Sequence, residues 1–368
     1  MTISELELAV KKVEQLVTIT NCKINELGNH TDYLYRLLEI NQNQFDKIRN
    51  LPADKELEYK KLKEVRLGWK NLVDKIESDY KNAQDVHVRS GAAAATFGVG
   101  VVAFGPSVAM GIVTTFGYAS TGAAISGLSG AAATNAAMAV LGGGTLATGG
   151  GGMAAGSALL ALAGPVGWTI FGLSILGSGY FFWKTKSDKD KLEKLFLLIS
   201  ERDQKKYQRS IIEISERIQR IIDAESKLSK AIVTIETYGL DYSSMTEEQQ
   251  YNLGSYFNLM KAATQLLISP IVSFIPKIKE DDYNKRCGNG YRFLTPKELK
   301  MKRIVLYLSN LLYRITCDEY TFNLLIYSLK KNDVFLKEME LESNDIQNEL
   351  FSDVLLVLKR AYKRNQPA

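Results

Sequence analysis

The sequence predicts an all-α protein in which long coiled-coil-like helices flank a Gly/Ala-rich, multi-helix membrane insert, with a C-terminal helical domain behind them. Apolar residues recur at alternating steps of four and three residues on both sides of the insert, which is the pattern of a helical seam. Between Arg89 and Lys184 the chain has no Asp, Glu, Lys, Arg or His, and this stretch holds 22 of the 28 glycines. No segment of the chain has a convincing strand pattern.

These patterns divide the chain into four regions. The first is an N-terminal helical bundle or coiled coil, and the second is the apolar, membrane-inserting region. The third is a long amphipathic helix that we expect to pair with the N-terminal helices, and the fourth is a C-terminal helical domain. The regions cover residues 1–89, 90–183, 184–239 and 240–368, in that order.

The pattern of residues in the N-terminal region predicts three helices. Thr2 with Glu5, and Ser4 with Glu7, fit a capping box at the start of the first. We expect Gly28 to end this helix, and two further helices to run over about residues 31–50 and 54–89. The seam of the first helix consists of Leu6, Val10, Val13, Val17, Ile24 and Leu27, with Thr20 as its polar member.

The four–three pattern resumes after the apolar region. It predicts one helix from about Ser187 to Gly239, which would be about 75 Å long if unbroken. Glu225 interrupts its apolar seam. Capping residues at Thr246 and Thr295 predict further helix starts, and we expect the last helix to end near Arg364. Between these starts, Pro270 and Pro276 should interrupt the helical pattern.

The charge-free region 90–183 has 94 residues. A helix that crosses a bilayer needs about 20 apolar residues, so the region could hold up to four crossings. Charged segments flank both of its sides, which favours an even number. Gly105–Pro106 and Gly164–Pro165 should kink or split their helices. The alternative is a buried hairpin inside a soluble bundle.

Small residues in this region are candidates for close helix packing or for the lining of a pore. The amide of Asn135 should hydrogen-bond across helices or face a water-filled lumen, unless it caps a broken helix. The packing and pore candidates are Gly127, Gly130, Thr134, Asn135, Gly152 and Gly156. Aromatic and basic residues at the edges are candidate anchors at the membrane surface; they are Arg89, Tyr180, Trp183, Lys184 and Lys186.

No catalytic or metal-binding motif is present, so we expect no enzyme, no metal and no cofactor. The glycine-rich runs lack the lysine that a phosphate-binding loop requires. One polar loop could hold an anion or a nucleotide through Arg286, Asn289 and Arg292, although an ordinary surface turn is the better explanation. Three scattered cysteines favour a reducing compartment, and the net charge of +5 is too small to indicate nucleic acid.

The stretch from Gly127-Leu-Ser-Gly-Ala-Ala-Ala-Thr-Asn135 through Gly149-Gly-Gly-Gly-Met-Ala-Ala-Gly156 resembles a glycine-rich hairpin of bacterial membrane-acting proteins. The whole layout is similar to helical pore-forming proteins of the cytolysin A type, to colicin pore domains, to apolipoprotein L proteins and to anti-phage membrane effectors. The resemblance covers about a quarter of the chain. It implies an apolar hairpin that is hidden among amphipathic helices until it is triggered.

We therefore expect an oligomeric membrane channel or pore-forming effector that permeabilises a membrane, of the bacterial toxin or anti-phage defence type, gated by its helical body. Its partners would be a lipid bilayer, further copies of the chain, and a regulatory protein or small ligand. We expect it at the bacterial inner membrane, or in the cytoplasm before insertion; export without a signal peptide is a further route. The alternative function is a non-conducting, membrane-anchored coiled-coil scaffold that binds partner proteins.

Overall fold

The computed structural model confirms the all-α class. Its described residues form eight α-helices and no β-strand, and their one β-bridge joins Arg49 to Asp241. The residues that the structure describes are 5–90, 106–116, 185–274, 277–278, 282–283, 295–331, 336, 341–346 and 350–364.

The helices follow one another in a simple order along the chain. They are α1 (Glu5–Phe45), α2 (Ala53–Ser90), α3 (Pro106–Phe116), α4 (Lys186–Ile235), α5 (Glu247–Ile268), α6 (Pro296–Leu311), α7 (Glu319–Lys330) and α8 (Leu350–Arg364). Three single 3-10 turns, Tyr242–Ser244, Val272–Phe274 and Ser343–Asp345, lie between them.

Several helix ends are set by local side chains, as the sequence predicts. Thr246 and Thr295 form capping boxes with Gln249 and Glu298 at the starts of α5 and α6. Thr185 caps α4 in the same way. The capping pairs proposed before α1 lie outside the described residues. The last helix ends at Arg364, where the sequence places it.

The prediction that Gly28 ends the first helix is wrong, because α1 continues through Gly28 and Thr31 to Phe45 as one helix of 41 residues. An interior glycine costs a helix about 1 kcal/mol relative to alanine. Here tertiary packing outweighs that preference, since a side chain at position 28 would overlap the main chain of α3.

The two longest helices, α1 and α4, run parallel to each other. Three contacts fix their register: Gln204 donates to the Ala9 carbonyl, His30 lies 3.3 Å from Glu225, and Gln44 donates to the Ile232 carbonyl. The predicted seams face inward in both helices, where Val13, Val17 and Leu27 of α1 meet Ile214, Ile218, Ile221 and Leu228 of α4 in one buried cluster.

Helix α4 is shared by two hydrophobic cores. The larger core joins α1, α2, α3, α5 and the second half of α4, whereas the smaller joins the start of α4 to α6, α7 and α8. Arg202 lies on α4 between them. Its guanidinium pairs with the buried Asp203 and donates to the carbonyl oxygens of Leu311 and Tyr313, both at 2.8 Å, at the end of α6.

No helix in the described stretches combines the length and the apolarity that crossing a membrane requires. The one described helix inside the charge-free region is α3, whose 11 residues give a length of about 16 Å at 1.5 Å per residue. Its first described residue is Pro106, and the predicted interruption at Gly105–Pro106 lies at the edge of the described residues. The rest of region 91–184 lies outside the described residues.

Candidate functional site: the groove that holds α3

Helix α3 is enclosed on all sides. Seven consecutive residues, 109–115, are buried, and seven residues complete almost two helical turns, so no face of this segment is left to solvent. The segment is apolar except for Thr114 and Thr115. An ordinary surface helix has one apolar stripe and one polar face, so α3 behaves as an internal helix of the bundle.

Glycines bring the main chains of α1 and α3 together. A Cβ atom on Gly28 would overlap the carbonyl oxygen of Ser107, and a Cβ atom on Gly111 would overlap that of Ile24. Small residues at such positions let two helices approach more closely than side chains allow. The α1 wall of the groove therefore accepts α3 only because both helices carry a glycine at the point of contact.

Helices α2 and α5 complete the walls of the groove. Trp69 of α2 is fully buried and lies against Tyr35 of α1, with ring centroids 5.5 Å apart. The guanidinium of Arg66 is also buried and donates to the side-chain oxygen of Gln42. Burial lowers the pKa of Arg66. These contacts hold α2 on α1 beside the place where α3 lies.

The end of α3 is bound by residues 269–274, which we call the capping segment. The amide of Ile271 donates to the carbonyl oxygen of Thr115 at 2.8 Å. The last four carbonyl groups of a helix have no partner within the helix, so this bond satisfies one of them. Ile271 and Phe274 are buried in the larger core together with α3.

Two charged residues of α4 bind the capping segment. Arg217 donates to the carbonyl oxygen of Ser269 at the start of the segment, at 2.8 Å, and to that of Leu266 in the last turn of α5, at 2.7 Å. One turn earlier, a carboxylate oxygen of Glu213 accepts bonds from the amide and the hydroxyl of Ser273, both at 2.8 Å. The segment is thus tied to α4 at its beginning and near its end.

The environment of Glu213 favours its ionised form. Desolvation acts to raise the pKa of this carboxyl, but hydrogen bonds from Ser273 and the nearby Arg209 outweigh it, so the pKa lies below its ordinary value. Arg209 donates to the second carboxylate oxygen at 2.8 Å. Burial lowers the pKa of Arg217.

The residues that the sequence proposes as a site are mostly outside the described part of the chain. This holds for Gly127, Gly130, Thr134, Asn135, Gly152, Gly156, Tyr180, Trp183, Lys184, Arg286, Asn289 and Arg292. Arg89 lies next to the end of α2, and Lys186 is the exposed first residue of α4. The two body helices that flank the charge-free region thus end and begin at its borders.

Sequence reasoning missed the residues that hold α3. Gly28 looks like a helix terminator, while Glu213 and Arg217 look like members of a solvated helix face. The one signal available is their spacing of four residues on a helix, which is shared by many exposed ion pairs. Among the residues that the structure describes, no group of His, Cys, Asp and Glu could hold a metal ion.

Comparisons of this chain with protein-family models, with curated proteins and with solved structures found no match.

Proposed function

We propose that this protein is an oligomeric membrane channel or pore-forming effector, and that its helical body controls the charge-free region 90–183. The observation that carries the proposal is the burial of α3. This helix belongs to the charge-free region, and the body encloses it with main-chain contacts at Gly28 and Gly111. A protein that releases apolar segments into lipid needs such a storage place while it is in water.

The region's composition supports the membrane part of the proposal. A stretch of 94 residues without one charged side chain is unusual in a chain of which 24% is charged. In lipid, backbone groups must be bonded within the segment, which keeps glycine-rich sequence helical. Small side chains then allow close helix packing.

The groove that stores α3 also buries two polar groups of this helix. The hydroxyl groups of Thr114 and Thr115 are buried and have no hydrogen-bond partner among the described residues. A buried hydroxyl without a partner costs about 1–3 kcal/mol. The docked position of α3 is therefore less stable than that of an all-apolar helix in the same groove. This lower stability makes α3 easier to release.

The surface of α1 supports self-association. Four of its large apolar side chains are exposed, at spacings of 11, 14 and 7 residues, each close to a whole number of helical turns. They therefore share one face of the helix; they are Leu8, Ile19, Tyr33 and Ile40. We expect these aligned side chains to contribute to contacts between copies of the chain in a helical bundle.

Ion flux across liposomes tests the proposal. Purified protein is added to vesicles with several contents of anionic lipid, and the flux and the bound fraction are measured together. We expect flux that rises more steeply than linearly with protein concentration, because an oligomer must form. Binding without flux in every oligomeric state would contradict the pore and leave the anchored scaffold. A protein that never binds vesicles would contradict both functions.

A further inference from the structure

The capping segment, residues 269–274, lies between α3 and α4 and contacts both. Its Ile271 amide binds the end of α3, while its Ser273 amide and hydroxyl bind Glu213 of α4. The main helix neighbours of α3 are α1, α2 and α5. The segment is therefore a polar connection through which α4 acts on α3.

The contacts that α3 makes with its groove differ in kind from those of the capping segment. The groove contacts are apolar or arise from close main-chain approach. The capping segment is held partly by its buried Ile271 and Phe274 and partly by directed bonds to charged groups, which weaken steeply as their geometry changes.

We infer that Arg217 and Glu213 form a latch that keeps α3 in its groove, and that detachment of the capping segment from α4 is the step that frees α3. Its consequence at a membrane rests on the proposed function, whereas the latch itself is a property of the helical body in water. The spacing of four residues on α4 places the cation of Arg217 at the start of the segment and the anion of Glu213 near its end.

Exposure of α3 in the absence of lipid tests the latch. In a chain whose three native cysteines are replaced by alanine, Val113→Cys puts a thiol at a position that is 2% exposed. Its rate of alkylation reports how often α3 leaves the groove. We expect Arg217→Met to raise this rate at least about tenfold, because two charge-assisted bonds are lost while the apolar stem is kept.

Two controls separate the latch from general destabilisation. Arg220→Met removes a charge from the same helix at an exposed side chain that pairs with Glu216, and should leave the labelling rate at position 113 unchanged. Leu325→Cys is a second thiol reporter, fully buried in the smaller core. Its labelling should not respond to Arg217→Met.

Equal labelling in the Arg217→Met and Arg220→Met chains would overturn the latch, as would an equal rise at both reporter positions. If Arg217→Met does not fold, as judged by circular dichroism, Ser273→Ala decides the question. It removes only the hydroxyl bond to Glu213, and should raise labelling at position 113 about threefold, a change of about 0.7 kcal/mol; no rise there would overturn the latch. Because no vesicles are present, this outcome is independent of the liposome experiment.

Discussion

Gly28 of α1 and Gly111 of α3 face each other across the contact between the two helices. A Cβ atom on Gly28 would lie 3.0 Å from the Gly111 nitrogen, and a Cβ atom on Gly111 would lie 3.1 Å from the Gly28 nitrogen. The two backbones therefore touch, and neither position has room for a methyl group. This pair fixes where the charge-free helix rests on the body.

Substitution of either glycine should loosen α3. We expect Gly28→Ala and Gly111→Ala each to lower the free energy of unfolding by about 1–3 kcal/mol through overpacking, as measured by urea denaturation. Gly254→Ala is the matched control, because nothing lies within 4 Å of its added methyl group in the interior of α5. That change should stabilise the protein by up to about 1 kcal/mol. Stabilisation by all three changes would contradict the close contact.

Removal of a buried hydroxyl should strengthen the docking of α3. Thr114 is fully buried and its hydroxyl has no partner among the described residues. We expect Thr114→Val to raise the free energy of unfolding by about 1 kcal/mol and to slow ion flux into liposomes. Thr264→Val is the control, since that buried hydroxyl donates to the Met260 carbonyl at 2.8 Å. A gain from Thr264→Val as large as that from Thr114→Val would show that hydrogen bonding is not the cause.

Acid should weaken the capping segment through Glu213. Desolvation raises the pKa of this carboxyl, but the bonds from Ser273 and Arg209 lower it by more, so the folded-state pKa lies below the ordinary value. The charged groups around it are Arg209, Arg217 and Lys277. A carboxyl group whose pKa is depressed in the folded state stabilises the fold at pH values above its ordinary pKa. This contribution is lost as the pH falls through the depressed, folded-state pKa.

The measurement is the change in Tm between pH 7 and pH 3 for wild type and Glu213→Gln. We expect a smaller change in the variant, because its amide keeps an acceptor oxygen for Ser273 but does not titrate. Glu216→Gln serves as the control, since Glu216 is exposed on the same helix and pairs with its neighbour Arg220. An identical pH response in wild type and Glu213→Gln would refute the role of the Glu213 carboxylate in holding the capping segment.

Glu225 interrupts the apolar seam of α4 at a cost to stability. The residue is 8% exposed and its carboxylate lies 3.3 Å from His30, and desolvation raises the pKa of Glu225 although His30 acts to lower it. An acid with a raised pKa destabilises the fold above that pKa, and the penalty disappears as the pH falls below it. We expect Glu225→Leu to add about 1 kcal/mol at pH 7 and less at pH 4, in urea titrations at both values. A greater gain at pH 4 would contradict this explanation.

Much of the fold follows from patterns that act locally. The capping residues Thr246 and Thr295 start helices where the sequence predicts them, because a hydroxyl and an acid or amide three residues later satisfy the same free N–H groups in any surroundings. The seam of α4 is equally local, since a repeat of four and three residues defines one helix face. The length of α4 and its end before Gly239 follow from it.

The groove could not be predicted in the same way. Glycine ends many helices. Only the contact with Gly111, 83 residues later in the chain, explains why Gly28 does not end α1. Glu213 and Arg217 differ from exposed ion-pair residues only through their partners in the capping segment, about 50–60 residues away in the sequence. Contacts between distant segments leave no periodic signal in the chain.

The location of α3 during permeabilisation shows whether this helix leaves its groove for the lipid as the membrane becomes permeable. A polarity-sensitive fluorophore at Val113→Cys, in the chain without native cysteines, is followed together with ion flux in liposomes that carry nitroxide-labelled lipid. We expect the emission to be protected from an aqueous quencher before vesicles are added, and to be quenched by the lipid-borne nitroxide as flux begins. Flux that develops while position 113 stays out of reach of the lipid quencher would contradict the release of α3 into the membrane.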